Sequence, residues 1–72
     1  MPLTKRSLSL AGHRTSLSLE AEFWAELDRA AREDGVSLAG LVGEIDIARG
    51  DEPLASSVRV WILKRLQDAR PA

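Results

Sequence analysis

Leucine alternates with serine twice near the N-terminus, at Ser7-Leu8-Ser9-Leu10 and again at Ser16-Leu17-Ser18-Leu19. Period-two alternation puts successive side chains on opposite faces of an extended backbone, so each stretch carries a leucine face and a hydroxyl face. A helix would instead scatter those leucines around its circumference. Gly12 lies between the stretches and permits a turn. Residues 1–12 are therefore expected to form either a first strand or a basic arm, and residues 13–19 a ribbon strand.

From Glu20 onward the period becomes helical. Over residues 20–34, Phe23, Leu27, Ala30 and Ala31 follow helical spacing with Trp24 on the flank. Glu20 and Glu22 suit the positive end of the helix dipole, and Gly35 suits the residue after the helix end. Over 37–49, Ser37 is a natural N-cap, and Leu38, Leu41, Val42, Ile45 and Ala48 form the apolar stripe. Gly40 and Gly43 lie inside this segment, each costing roughly 1 kcal/mol against alanine. They allow either close helix contact or simply a weak helix. Gly50-Asp51-Glu52-Pro53 breaks the pattern. A third helix is expected over 54–69, with Val58, Trp61, Ile62 and Leu66 on one face and Val60 and Leu63 widening it. No internal repeat, low-complexity tract or second domain stands out, and residues 1–72 form a single domain.

A chain of 72 residues buries a limited fraction of its surface and usually needs a staple. There is no cysteine, and the lone His13 holds no metal by itself. A partner chain is the staple that remains. A single amphipathic strand also leaves its backbone groups unpaired, and pairing with the same strand of a second copy satisfies both needs. The expectation is a homodimer whose shared core contains Leu17, Leu19, Phe23, Trp24, Leu27, Val42 and Ile45. Arg14, Ser16 and Ser18 then point outward. A two-stranded ribbon fits the major groove of B-DNA, where arginine and hydroxyl groups reach base edges.

Charge is unevenly distributed. Residues 1–19 hold Lys5, Arg6 and Arg14 and no acid, a net +3, whereas residues 20–72 hold seven basic and all eleven acidic residues, a net −4. Lys5 and Arg6 are accordingly expected as phosphate contacts. No apolar run approaches the ~20 residues of a membrane span, and the N-terminus lacks the apolar block of a signal peptide. A cytoplasmic protein is expected. Glu44, Asp46, Asp51 and Glu52 lack the alternating ligands and glycine of a calcium loop, so no metal or other cofactor is expected. No nucleophile, base and orienter fall together, so no enzyme is expected either.

The segment His13-Arg14-Thr15-Ser16-Leu17-Ser18-Leu19-Glu20-Ala21-Glu22-Phe23-Trp24, followed by a helix and Gly35-Val36-Ser37-Leu38, resembles the ribbon-helix-helix superfamily of MetJ, Arc and CopG type. Lys5-Arg6-Ser7 and Ser56-Ser57-Val58-Arg59-Val60 extend the resemblance to a subfamily of short bacterial ribbon-helix-helix proteins. The resemblance implies a mostly α fold with an N-terminal β-ribbon and an extra C-terminal helix, assembled as an intertwined homodimer. It implies double-stranded DNA as partner, with the ribbon in the major groove. The superfamily's outward ribbon positions fall on Arg14, Ser16 and Ser18. Its phosphate clamp falls on Ser37, Leu38 and Ala39, where open backbone amides and the helix dipole attract anions. The function expected is that of a sequence-specific DNA-binding transcriptional regulator. The alternative is a dimeric module of the same fold that binds another protein and no DNA.

Overall fold

In the computed structural model, which describes residues 2–70, the alternating segment is one hairpin. Strand β1 (Thr4–Leu10) and strand β2 (His13–Leu19) pair antiparallel, from Thr4 opposite Leu19 to Leu10 opposite His13. Of the single domain expected over 1–72, Met1, Pro71 and Ala72 lie outside the described residues.

Only Ala11 and Gly12 connect the strands, with φ of 51° and 82°. Positive φ at both central positions is the type I′ geometry, whose twist matches that of the flanking strands. Gly12 adopts it without penalty, while Ala11 bears about 1–2 kcal/mol of strain. Leu8, Leu10, Leu17 and Leu19 fall on one face and are buried.

The mate of residues 13–19 thus comes from the same chain. Of the two forms expected for residues 1–12, a first strand or a basic arm, the structure has the strand. Leu17, Leu19, Trp24, Leu27, Val42 and Ile45, expected as dimer core, are buried inside one chain, and Phe23 packs half-buried against them. The Cα radius of gyration is 12.0 Å, near the ~11 Å of a chain this long folded on itself.

Three helices cover the leucine face: α1 (Ala21–Asp34), α2 (Leu38–Ala48) and α3 (Leu54–Asp68). On α1 the buried stripe is Trp24, Leu27, Ala30 and Ala31. Phe23 and Trp24 therefore exchange the central and flanking places expected of them. Trp24 takes the centre because its indole N–H donates to the Thr4 carbonyl at 2.7 Å, a partner only the folded hairpin supplies. Gly35, at φ 68°, ends α1. Its N–H donates to the Arg32 carbonyl and that of Val36 to the Ala31 carbonyl, the paired bonds of a Schellman motif.

The Ser37 hydroxyl caps α2, accepting from the Gly40 N–H at 2.9 Å. A Cβ at Gly40 would stand 3.0 Å from that hydroxyl, so glycine there leaves room for the cap. Gly43 is different, since a Cβ there meets nothing within 4 Å. Of the two readings of Gly43, the fold favours plain helix weakening over close contact. Gly43→Ala should stabilise the protein by about 1 kcal/mol, seen as a higher urea midpoint at unchanged m-value. Destabilisation instead would mean that another surface packs on Gly43. Leu41, Val42 and Ile45 of α2 and Val58 and Ile62 of α3 complete the core. On α3, Trp61 is half-buried, and Val60, Leu63 and Leu66 are exposed.

Candidate nucleic-acid interface

The side of the hairpin away from the helices is set by parity. Where even positions of β1 and odd positions of β2 bear the leucines, Lys5, Ser7, Ser9, Arg14, Ser16 and Ser18 point the other way. The register pairs Lys5 with Ser18, Ser7 with Ser16 and Ser9 with Arg14. All but the half-buried Ser18 are exposed. The face thus carries four hydroxyls and two cations, one at each diagonal end, and no acid. Arg14, Ser16 and Ser18, the positions expected to contact bases, occur together on its β2 half.

Sequence reasoning missed the β1 half. The sequence expectation gives Ser7 and Ser9 no role and groups Lys5 with Arg6. The alternation itself separates that pair: Arg6 has the parity of Leu8 and Leu10, so it lies on the helix side. There its guanidinium meets the Asp28 carboxylate at 3.1 and 3.3 Å and stacks over the Trp24 ring, 4.5 Å from the centroid. Arg6, expected as a phosphate contact beside Lys5, is thus engaged on the helix side by Asp28 and Trp24.

Other arginines are similarly engaged. Arg29 meets Glu26 and Glu33, Arg49 meets Asp46, Arg59 meets Glu20, and Arg65 meets Glu33 and Asp34. Hydrogen bonds from Arg65 hold the Asp34 carboxyl below its ordinary value, and those from Arg65 and then Arg29 do the same for Glu33. The Arg65 guanidinium is held protonated more firmly in return, first by Asp34 and then by Glu33. The Glu20 carboxyl is lowered by its own backbone N–H and then by Arg59. Stabilisation from these lowered carboxyls is present at neutral pH and is lost as pH falls through their folded-state values. Lys5 and Arg14 have no carboxylate within 4.0 Å among the described residues, and they share the outer face of the ribbon. An incoming anion meets positive charge there that no carboxylate of the described residues pairs with.

The start of α2 lies along the far end of β1. A shallow cleft there is lined by Ser9, Leu10 and Ala11 on one side and Ala39 and Gly40 on the other. Ser37 directs its hydroxyl to Gly40, so what this terminus can offer an anion is the Leu38 and Ala39 N–H groups, which have no acceptor one turn earlier. Glu44 and Asp46 line the same cleft and temper its field.

Among the described residues no helix is long and apolar enough to cross a membrane, and no three His, Cys, Asp or Glu side chains are grouped to hold a metal ion. The family described as a ribbon-helix-helix domain matches residues 3–66, from just before β1 to the last turn of α3. No curated protein and no solved structure matches the chain.

Proposed function

We propose that this chain, which belongs to the ribbon-helix-helix domain family, is a sequence-specific DNA-binding protein that inserts its hairpin into the major groove and regulates transcription in a bacterial cytoplasm. Ribbon-helix-helix domains are in general DNA-binding transcription regulators, typically dimeric and without enzymatic activity. The observation that carries the proposal is the outer face of the hairpin, where hydroxyls and uncompensated cations stand on a two-stranded ribbon. A ribbon of this width enters the major groove, and arginine donates two parallel bonds to guanine O6 and N7. Arg14 takes that role. Ser16 and Ser18 donate to or accept from the neighbouring base edges. The amides of Leu38 and Ala39, ordered by the Ser37 cap, hold a flanking phosphate.

Binding of the full chain to mixed-sequence duplex DNA, titrated at several salt concentrations, tests this. Log K should fall linearly against log salt, with a slope of about −0.9 for each phosphate that a basic side chain neutralises. Absence of micromolar binding even at about 50 mM salt would overturn the proposal. A second reading then takes its place, a protein-interaction module, and α3 is the observation in its favour. Val60, Leu63 and Leu66 are exposed there by 45%, 51% and 43%.

A further inference from the structure

The third helix keeps one stripe that the fold does not use. On α3 the core takes Val58 and Ile62. At about 100° per residue, Ser56, Val60, Leu63 and Gln67 fall together on the opposite side, and all four are exposed. Their spacing of four, three and four residues is that of a coiled-coil seam. The stripe carries no charge. Lys64 flanks it on one edge with Ser57, and Arg59 on the other with Leu66.

Such a seam is self-complementary in one orientation only. Two α3 helices side by side in parallel would set Arg59 of each against Lys64 of the other, with like charges facing. Turned antiparallel about an axis between Val60 and Leu63, Val60 of one packs on Leu63 of the other, and Ser56 meets Gln67, hydroxyl to amide. Lys64 then lies beside Ser57 of the second copy and Arg59 beside its Leu66, so no cation faces a cation. Arg59 is also held by Glu20 within its own chain.

Size decides when this contact forms. α3 has 15 residues, about 22 Å at ~1.5 Å per residue, and a helix is ~10 Å wide. One face is on the order of 200–300 Å², well short of the ~800 Å² per partner of a stable interface. The pairing of chains typical of this family therefore needs other surface, and the α3 seam closes only where copies are already held close. Neighbouring sites on one duplex supply that, at effective concentrations near the millimolar range.

We infer that α3 carries a contact between adjacently bound units: the Ser56-Val60-Leu63-Gln67 stripe packs antiparallel on the same stripe of a second copy in the next unit, so that one bound unit helps its neighbour bind. This rests on the DNA-binding function proposed above and holds for a unit of one chain or two.

Selection from random duplexes by the full chain gives a preferred site. Mobility-shift titration then compares duplexes bearing one such site with duplexes bearing two, in both relative orientations, stepped from one to three helical turns of ~10.5 base pairs apart. The second unit should bind about tenfold tighter than the first at the spacings where the seams meet. Leu63→Glu sets a carboxylate against Val60 of the second copy and should abolish that advantage, as should Val60→Lys. Combined, the two substitutions oppose unlike charges across the antiparallel seam and should restore about threefold of it. All three variants should melt as the parent does, since both positions are exposed, and each is referred to its own single-site affinity. Equal affinity for both sites at every spacing, an advantage that Leu63→Glu leaves intact, or a combined variant with none would overturn the seam and leave DNA binding standing. A DNA-free association state that shifts with Leu63→Glu in sedimentation would place the stripe in the pairing of chains within a unit, and would overturn it too. No binding of the parent chain to any duplex would remove the DNA-binding function, and this inference with it.

Discussion

Trp24→Ala should lower the stability by about 3–5 kcal/mol, a large part of the roughly 4–11 kcal/mol that a domain of this length has to lose. Trp24 is 1% exposed and joins three things. Its ring fills the space between α1 and the hairpin, its N–H holds the Thr4 carbonyl at 2.7 Å, and its face supports the Arg6 guanidinium, which in turn binds Asp28. Thr4 is the first residue of β1, at the end of the hairpin away from the Ala11-Gly12 turn. Truncation leaves a cavity under that end and releases the strand that supplies half of the outer face. Trp24→Phe separates these effects. It retains most of the volume and loses the hydrogen bond, for a cost of about 1 kcal/mol plus repacking. Urea unfolding at two protein concentrations a hundredfold apart measures both variants and the parent. Because the core closes within one chain, the midpoints should not move with concentration, and each loss should count once. A midpoint that rises with concentration would mean that folding is coupled to dimerisation.

The change of period at Glu20 locates the strands and helices, and alternation alone places the leucines at 17 and 19 in the core. What alternation does not specify is whose strand completes the ribbon. An Asn-Gly pair at 11–12 would have announced an intrachain hairpin. Ala11 does not, because alanine gives no sign that it will adopt positive φ. Adjacent Phe23 and Trp24 differ by one step around the helix, and a hydrogen bond to Thr4, 20 residues away, decided between them. Glu20 illustrates the same limit. It occupies the N-cap of α1 without a capping side-chain bond, and its carboxylate instead meets Arg59, 39 residues on. No local pattern encodes such partners. The parity that points Arg14, Ser16 and Ser18 outward points Lys5, Ser7 and Ser9 outward by the same rule and turns Arg6 toward the helices.

Arg14 and Arg6 form a natural pair of probes, equal in charge and on opposite faces of one ribbon. Arg14 is exposed, so Arg14→Ala should keep the melting curve within about 0.5 kcal/mol. Its loss should instead remove about 1–3 kcal/mol of discrimination between the preferred duplex and one changed at a single base pair, roughly 5- to 150-fold in relative affinity. Arg14→Lys keeps the charge and discards the planar fork, so affinity for mixed-sequence DNA and its salt slope should persist while discrimination falls nearly as far. Arg6→Ala should behave in the opposite way. Its side chain is 38% exposed and paired with Asp28, a contact worth under about 1 kcal/mol at such exposure, to which the lost packing on Trp24 adds. The melting curve should shift down, with base preference retained. Competition titrations against single-base variants of the selected duplex, run beside thermal melts of the same preparations, measure all three substitutions. If Arg14→Ala weakens every duplex alike and flattens the salt slope by about one, Arg14 is a phosphate contact and the hairpin does not read bases through it. If Arg6→Ala abolishes discrimination while leaving the melt untouched, the two faces of the ribbon have been assigned in reverse.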